Sequence, residues 1–331
     1  MGEQSLANKN LLYDFLSRVE RFRHSPAALG EYFARDVLWH GCAPFDTQAG
    51  VDALWQTFLG PLFASFSGLK RRVDILLGGT CETESWVASS GYLFGRFERD
   101  WLGIAPTGQQ TYLRYGEFYR IKAGKIDKVY ALYDLIEVMQ QAGCDPLPAS
   151  LGLAGFVPPP RAADGVLLAD QAPAESTKTF QIAYAMLFQG MNSFDQEHKA
   201  SMRFSRYWHD NMHWYGPAGI GATRDLKEFE DNHQLPWLRA FPDRQVVWES
   251  PMFADGNYAA TAGWREVVAT HSGEYLGLPP TGARVEFRVM DFWRREGDLL
   301  SENWVLIDLI DAFRQFGVDL FAQWARENDN S

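Results

Sequence analysis

Two carboxylates at even spacing, Glu302 and Asp308, end the long apolar stretch Glu302-Asn303-Trp304-Val305-Leu306-Ile307-Asp308. An extended strand sends Glu302, Trp304, Leu306 and Asp308 to one face, and its rise per residue separates the two acids by roughly 20 Å. They cannot both act on one carbon. Glu302 beside an indole suits a desolvated carboxyl with a raised pKa, able to serve as general acid or base. The plain alternative is a solvated carboxylate near a sheet edge. Asp308 directly precedes Leu309, with Asp311 three residues on, the pattern of a helix N-cap with an approximate capping box; Asp134 and Glu137 repeat it.

His271 stands beside a turn, where a neutral imidazole could donate to a carbonyl or relay a proton near neutral pH, or simply stabilise the turn. Arg288 and Asp291, with Arg114 and Glu117 in corresponding places, are three apart and so face opposite sides of a strand. Each is a candidate for a cavity wall or for an ion pair that orders the sheet. His209 and His213 have the i, i+4 spacing of a zinc pair but lack the intervening Glu and stand where a helix gives way to a strand, so no metal site is expected. Gly216 to Gly221 is glycine-rich, yet no Gly-Lys-Ser/Thr follows, which makes it a loop over a pocket mouth and not a phosphate cradle. Trp214, Tyr215, Trp237, Trp264 and Trp304, with Trp208 and Trp293, could line a cavity for a flat ligand; Trp39, His40 and Asp134 are the corresponding candidates earlier in the chain.

The elements that hold these residues follow from composition and pattern. At 331 residues, 46% hydrophobic and 22% charged, the chain predicts about two globular domains. A net charge of −11 gives no global positive field for nucleic acid or an anionic membrane. Cys42, Cys81 and Cys144 stand far apart and read as reduced thiols. No leader pattern and no run of 18 or more apolar residues occurs, so a soluble cytoplasmic protein is expected.

Six prolines between Cys144 and Ala174 mark a linker. The two flanking regions, 1–143 and 176–331, are versions of one another. Sliding by 174 lays Trp101-Leu102-Gly103-Ile104-Ala105-Pro106-Thr107-Gly108 on Tyr275-Leu276-Gly277-Leu278-Pro279-Pro280-Thr281-Gly282. The same shift lays Glu117-Phe118-Tyr119-Arg120 on Asp291-Phe292-Trp293-Arg294, and Asp134-Leu135-Ile136 on Asp308-Leu309-Ile310; Trp39-His40-Gly41 meets Trp214-Tyr215-Gly216 with a drift of one. Apolar spacing predicts helices over 8–24, 29–34 and 51–66, then strands over 70–77, 84–99, 110–121 and 126–134. The second copy reads as helices 176–193, 197–209 and 223–240 and strands 244–253, 257–271, 283–295 and 299–307. Closing helices cover 135–142 and 309–325, the second running past Gly317. Helices grouped ahead of strands predict an α+β fold: two tandem cone-shaped α+β barrels, each a bent antiparallel sheet covered on one face by helices.

The turn Thr270-His271-Ser272-Gly273-Glu274-Tyr275-Leu276-Gly277-Leu278-Pro279-Pro280-Thr281-Gly282, followed by Arg294, Glu302-Asn303-Trp304 and Asp308, resembles the SnoaL-like polyketide cyclase family, of the nuclear-transport-factor-2-like, cystatin-like fold. The first copy keeps the fold-marking residues but has Phe97 and Lys128 where the second has His271 and Glu302. The resemblance implies cofactor-independent acid/base chemistry of aldol type on a hydrophobic carbonyl compound in the second domain. Glu302 or Asp308 would be the base and His271 a hydrogen-bond partner, with Asp308 matching the family's last-strand acid. It further implies a small hydrophobic molecule as partner and an intrachain pseudo-dimer, monomeric or homodimeric. The competing reading is a non-catalytic pair that binds a small molecule or a protein. A second-domain pocket below about 300 Å³ would favour an interface role.

Overall fold

The computed structural model describes residues 2–194, 202–247 and 251–322. The chain divides into two compact units, one formed by residues up to 146 with 161–170, the other by 147–160 with 171–320. Each opens with helices whose apolar side packs inward. In the first, Gly2–Ser17 and Val19–His24 bury Leu12, Leu16 and Phe22. In the second, Pro173–Ala185 starts with proline at its first position, where the missing N–H costs nothing, and runs on through Met186–Gly190.

The first sheet comprises β1 (Phe33–Gly41), β2 (Thr47–Ala49), β3 (Phe66–Cys81), β4 (Glu84–Phe97), β5 (Gln110–Lys122) and β6 (Lys125–Tyr133), in the order β2-β1-β6-β5-β4-β3. The second comprises β7 (Trp208–Tyr215), β8 (Ala222–Thr223), β9 (Gln245–Val246), β10 (Met252–Asp255), β11 (Tyr258–Thr270), β12 (Arg284–Glu296) and β13 (Leu299–Ile307). Its order is β10-β11-β12-β13-β7-β8, with β9 also on β11. The sheets are mixed where the sequence pattern predicts antiparallel, because β1 runs parallel to β6 and β7 parallel to β13. These partners are joined through helices and a hairpin meander, and no tight turn forces them antiparallel. Neither sheet closes into a barrel: the edges β2 and β3, and β8 and β10, do not pair with each other.

Each repeat carries a helical segment that packs across its sheet, Val51–Ser65 and Leu226–Ala240. The closing helices are Leu135–Gln141 and Leu309–Gln315. The second does not run past Gly317, whose φ of +86° ends it in a left-handed turn. Of the helix expected over 197–209, residues 197–201 lie outside the described residues; Phe204–Arg206 is a single 3-10 turn and Trp208 already begins β7. The strand expected over 244–253 is two short pieces, β9 and the start of β10, with 248–250 outside the described residues.

The proline-rich segment is tied down at both ends. Leu167 and Gly165 bond the backbone of Leu76 at the β3 edge (2.9 and 2.8 Å). Leu153 exchanges two hydrogen bonds with Ala222 of β8 (2.7 and 2.8 Å). Gly152 permits that second contact, since a Cβ there would lie 2.7 Å from the Ala222 carbonyl oxygen. The shared Leu-Gly turns also have a physical basis: Leu102-Gly103 and Leu276-Gly277 all take positive φ, as a two-residue turn between Trp101 and Ile104, or Tyr275 and Leu278, requires.

Candidate functional site

A hollow of about 70 Å³ lies in the second domain under the Leu226–Ala240 segment. Register decides which side chains reach it. Asp291 pairs with Val305, and Asn303 pairs with both Trp293 and Trp214, so these residues share the hollow face of β12, β13 and β7. Phe204, Phe229 and Trp237 supply apolar wall.

Two acids enter this apolar space. Asp291, 7% exposed, accepts a hydrogen bond from Asn303 Nδ2 at 2.9 Å. Glu266, 5% exposed, has an Oε2 with no hydrogen-bond partner among the described residues. It reaches the hollow from a bulge, because the β11–β12 register shifts between Gly263 and Val267. Gly263 makes room for it: a Cβ at 263 would lie 2.0 Å from the Glu266 side chain. Burial pushes Asp291 up to about 7, against the opposing Asn303 hydrogen bond. Burial, and then the charge of Asp291, push Glu266 well above the usual carboxylate range. Burial thus holds both carboxyls toward their protonated forms, and the two titrate as a pair.

His233 stacks on Trp214 with ring centroids 4.1 Å apart and planes 18° off parallel. Desolvation, and then the charge of Arg244, hold its pKa down to about 3, so the imidazole is neutral across the physiological range. It borders both the inner hollow and an outer chamber of about 190 Å³, lined by Pro148, Leu151, Ile220, Tyr275 and Gly277 among others. Neither space alone reaches the roughly 300 Å³ of a drug-sized site.

Of the residues singled out from sequence, Trp208, Trp214, Trp237, Asp291 and Trp293 line the inner hollow. Glu302 lies on the opposite face of β13, fully buried, with Arg294 Nε donating to it at 2.5 Å and Tyr215 Oη at 3.5 Å. Trp304 shares that face, 5.4 Å from the Tyr215 ring, and its Nε1 donates to the Pro158 carbonyl (3.0 Å). Asp308 caps Leu309–Gln315, accepting from the Asp311 N–H at 3.1 Å, and pairs with Arg288 at 3.2 Å. The Arg288 guanidinium lies over Trp264 at 5.2 Å. His271 is buried beside Thr281 (3.0 Å) and Phe316 (4.3 Å between rings), and burial lowers its pKa. His209 lies on β7 with its Nε2 2.9 Å from the Glu296 carbonyl. Among the described residues no group of three or more His, Cys, Asp or Glu side chains is arranged to hold a metal ion.

Glu266, His233 and Gln234 are the cavity residues that sequence reasoning missed. A signal for His233 existed, since Phe229, His233 and Trp237 recur every fourth residue on one side of a helix. Glu266 gave none, because its orientation depends on the bulge.

The first domain has the same frame with different contents. Trp39 stacks on Phe58 (5.2 Å, 22°), as Trp214 does on His233, and Asp134 caps its closing helix as Asp308 does. At the place of Asp291 stands Glu117, which forms an ion pair with buried Arg71 and accepts from the hydroxyls of Tyr119 and Tyr133, each at 2.5 Å. His40 stacks on Tyr130 at 4.9 Å.

The model of the family described as "SnoaL-like polyketide cyclase" matches residues 11–142 and again 185–316. The chain belongs to this family and carries two tandem copies of its nuclear-transport-factor-2-like domain. No curated protein matches it. Solved structures similar to it include a provisionally named SnoaL-like polyketide cyclase from Jannaschia sp. CCS1 (14% identity, TM-score 0.39, 45% of this chain and 97% of that one). Another is a provisionally named polyketide cyclase from Acidithiobacillus ferrooxidans (18%, 0.36, 43% and 98%). A third is an NTF2-like protein from Burkholderia thailandensis E264 (23%, 0.32, 40% and 94%). Among the described residues no helix is long and apolar enough to cross a membrane.

Proposed function

We propose that the second domain performs cofactor-independent acid/base chemistry of aldol type on a hydrophobic carbonyl compound, with Asp291 and Glu266 as the proton-handling pair. The observation that carries this reading is two buried acids facing one apolar hollow, Asp291 raised to about 7 and Glu266 raised well above the usual carboxylate range. Ionised Asp291 removes a proton from the carbon next to a carbonyl, and the enolate carbon attacks a second carbonyl in the same molecule to form the ring bond. The resulting alkoxide takes a proton from the carboxyl pair, so the acids end as they began. A pKa near the working pH favours both halves of that exchange. On this reading Glu302, Asp308 and His271 hold the frame: Glu302 through Arg294, Asp308 as a helix cap, His271 behind the turn.

The first half-reaction is measurable without knowing the natural substrate. Small cyclic ketones and β-keto esters in D₂O are expected to exchange their α-hydrogens faster with the protein present. Asp291→Asn should lose at least about a hundredfold of that acceleration, the usual span for a general base. Exchange no faster than in buffer, or unchanged in both Asp291→Asn and Glu266→Gln, would overturn the proposal. The small inner hollow favours a second reading, a non-catalytic binding or interface domain, which predicts that same null exchange result.

A further inference from the structure

Among the described residues, four buried polar atoms without a hydrogen-bond partner belong to side chains lining the inner hollow: Trp208 Nε1, Gln234 Oε1, Glu266 Oε2 and Trp293 Nε1. Unmade hydrogen bonds in an apolar interior are costly and are normally satisfied by water or a ligand. Two of the four are indole N–H groups, which can only donate. Trp293 is two residues from Asp291 on the same face of β12, and both side chains line the hollow. At the corresponding places the first domain has Phe33, with no polar atom, and Tyr119, whose hydroxyl is engaged by Glu117 at 2.5 Å.

We propose that the indole N–H groups of Trp208 and Trp293 are the donors that hold the reacting oxygen of the ligand. That oxygen is a ketone or enol oxygen attached to a flat apolar body. The inference rests on the reading of this hollow as the acid/base site and names the ligand group it takes. An enolate concentrates negative charge on that oxygen, and fixed donors in a space with little water stabilise the charge more than solvent does. His233 and Trp214 present parallel ring faces beside it, suited to a planar molecule whose remainder passes into the outer chamber.

Phenol and toluene differ by one hydroxyl and match the enol and its oxygen-free counterpart in shape. Phenol is expected to bind the full-length protein at least about tenfold more tightly than toluene, the value of one net hydrogen bond. With tryptophan labelled in ¹⁵N, phenol should move two of the 12 indole N–H resonances downfield while toluene does not. Those two should be the ones missing in Trp208→Phe and Trp293→Phe. Equal affinity for the two probes, no binding of phenol, or indole resonances unmoved by bound phenol would each overturn the proposal. Should either variant fail to fold, the phenol and toluene comparison on the unaltered protein still decides. Deuterium exchange that depends on Asp291 alongside unmoved indoles would defeat only this inference. Moved indoles without exchange would defeat only the acid/base reading.

Discussion

The interiors of the two domains solve the same problem, a carboxylate on the strand before the last, in opposite ways. Glu117 is neutralised by Arg71 and bonded by two tyrosine hydroxyls. Asp291 receives one amide hydrogen bond and has a second acid for a neighbour. The frame is preserved around both, including the aromatic stack beneath each strand-crossing helix and the aspartate cap on each closing helix. A satisfied network adds rigidity, whereas an under-satisfied one stores reactivity at the expense of stability. Duplication thus places both arrangements in one chain, on one shared frame.

The largest expected effect comes from making the same change in both places. Glu117→Gln leaves Arg71 buried without its counter-charge and should lower stability by about 3–5 kcal/mol, read as a drop in denaturant midpoint. Asp291→Asn removes a desolvated acid and should be neutral or stabilising at pH 8. If the second variant lost as much as the first, the two interiors would be energetically alike and the contrast would collapse.

Acidity gives a finer cut. Asp291 is raised from its ordinary 3.8 to about 7, so between those values the folded protein binds the extra proton, and stability falls as pH rises through that window. His233 is lowered from 6.5 to about 3, so the unfolded chain binds the extra proton and stability rises with pH over that range. Each limb has a limiting slope of about 1.4 kcal/mol per pH unit, and they oppose one another between roughly pH 4 and 6.5. Urea titrations across this range should show the profile tilting toward the rising His233 limb in Asp291→Asn, with the raised Glu266 still opposing it above its ordinary 4.5, and toward the falling limb in His233→Phe, the residue type the first domain uses at Phe58. Parallel profiles for the three proteins would remove either residue from the titrating set.

Much of the frame was legible because it rests on local rules. The repeat, the Leu-Gly turns and the Asp-x-x-acid starts of the closing helices each depend on a few adjacent residues. The cavity contents do not. Along β13 every residue from Leu300 to Leu306 is buried, so alternation could not tell Glu302's face from Asn303's; both read as core. At Glu266 the bulge after Gly263 resets the alternation altogether. The mixed pairing of β7 with β13 was hidden for a related reason, since direction between strands so distant in sequence is set by the whole path of the chain.

The smallest expected effect lies on the opposite face of the second sheet, where the aromatic pair Tyr215 and Trp304 stands in the place of His40 and Tyr130. There Trp304 Nε1 donates to the Pro158 carbonyl, tying the 147–160 segment to β13 as Leu153 ties it to β8. Trp304→Phe keeps a ring on the sheet but removes the donor, which should cost about 1 kcal/mol. Because Pro158 is exposed, its freed carbonyl can turn to water, and the loss should stay at that level. Amide exchange separates the two anchors: the Leu153 amide, bonded to Ala222, should lose protection only modestly if each anchor acts alone. Loss of protection along the whole segment would mean that one indole hydrogen bond organises the roof of the outer chamber. The contrast between the domains would then extend from their interiors to the segment that covers one of them.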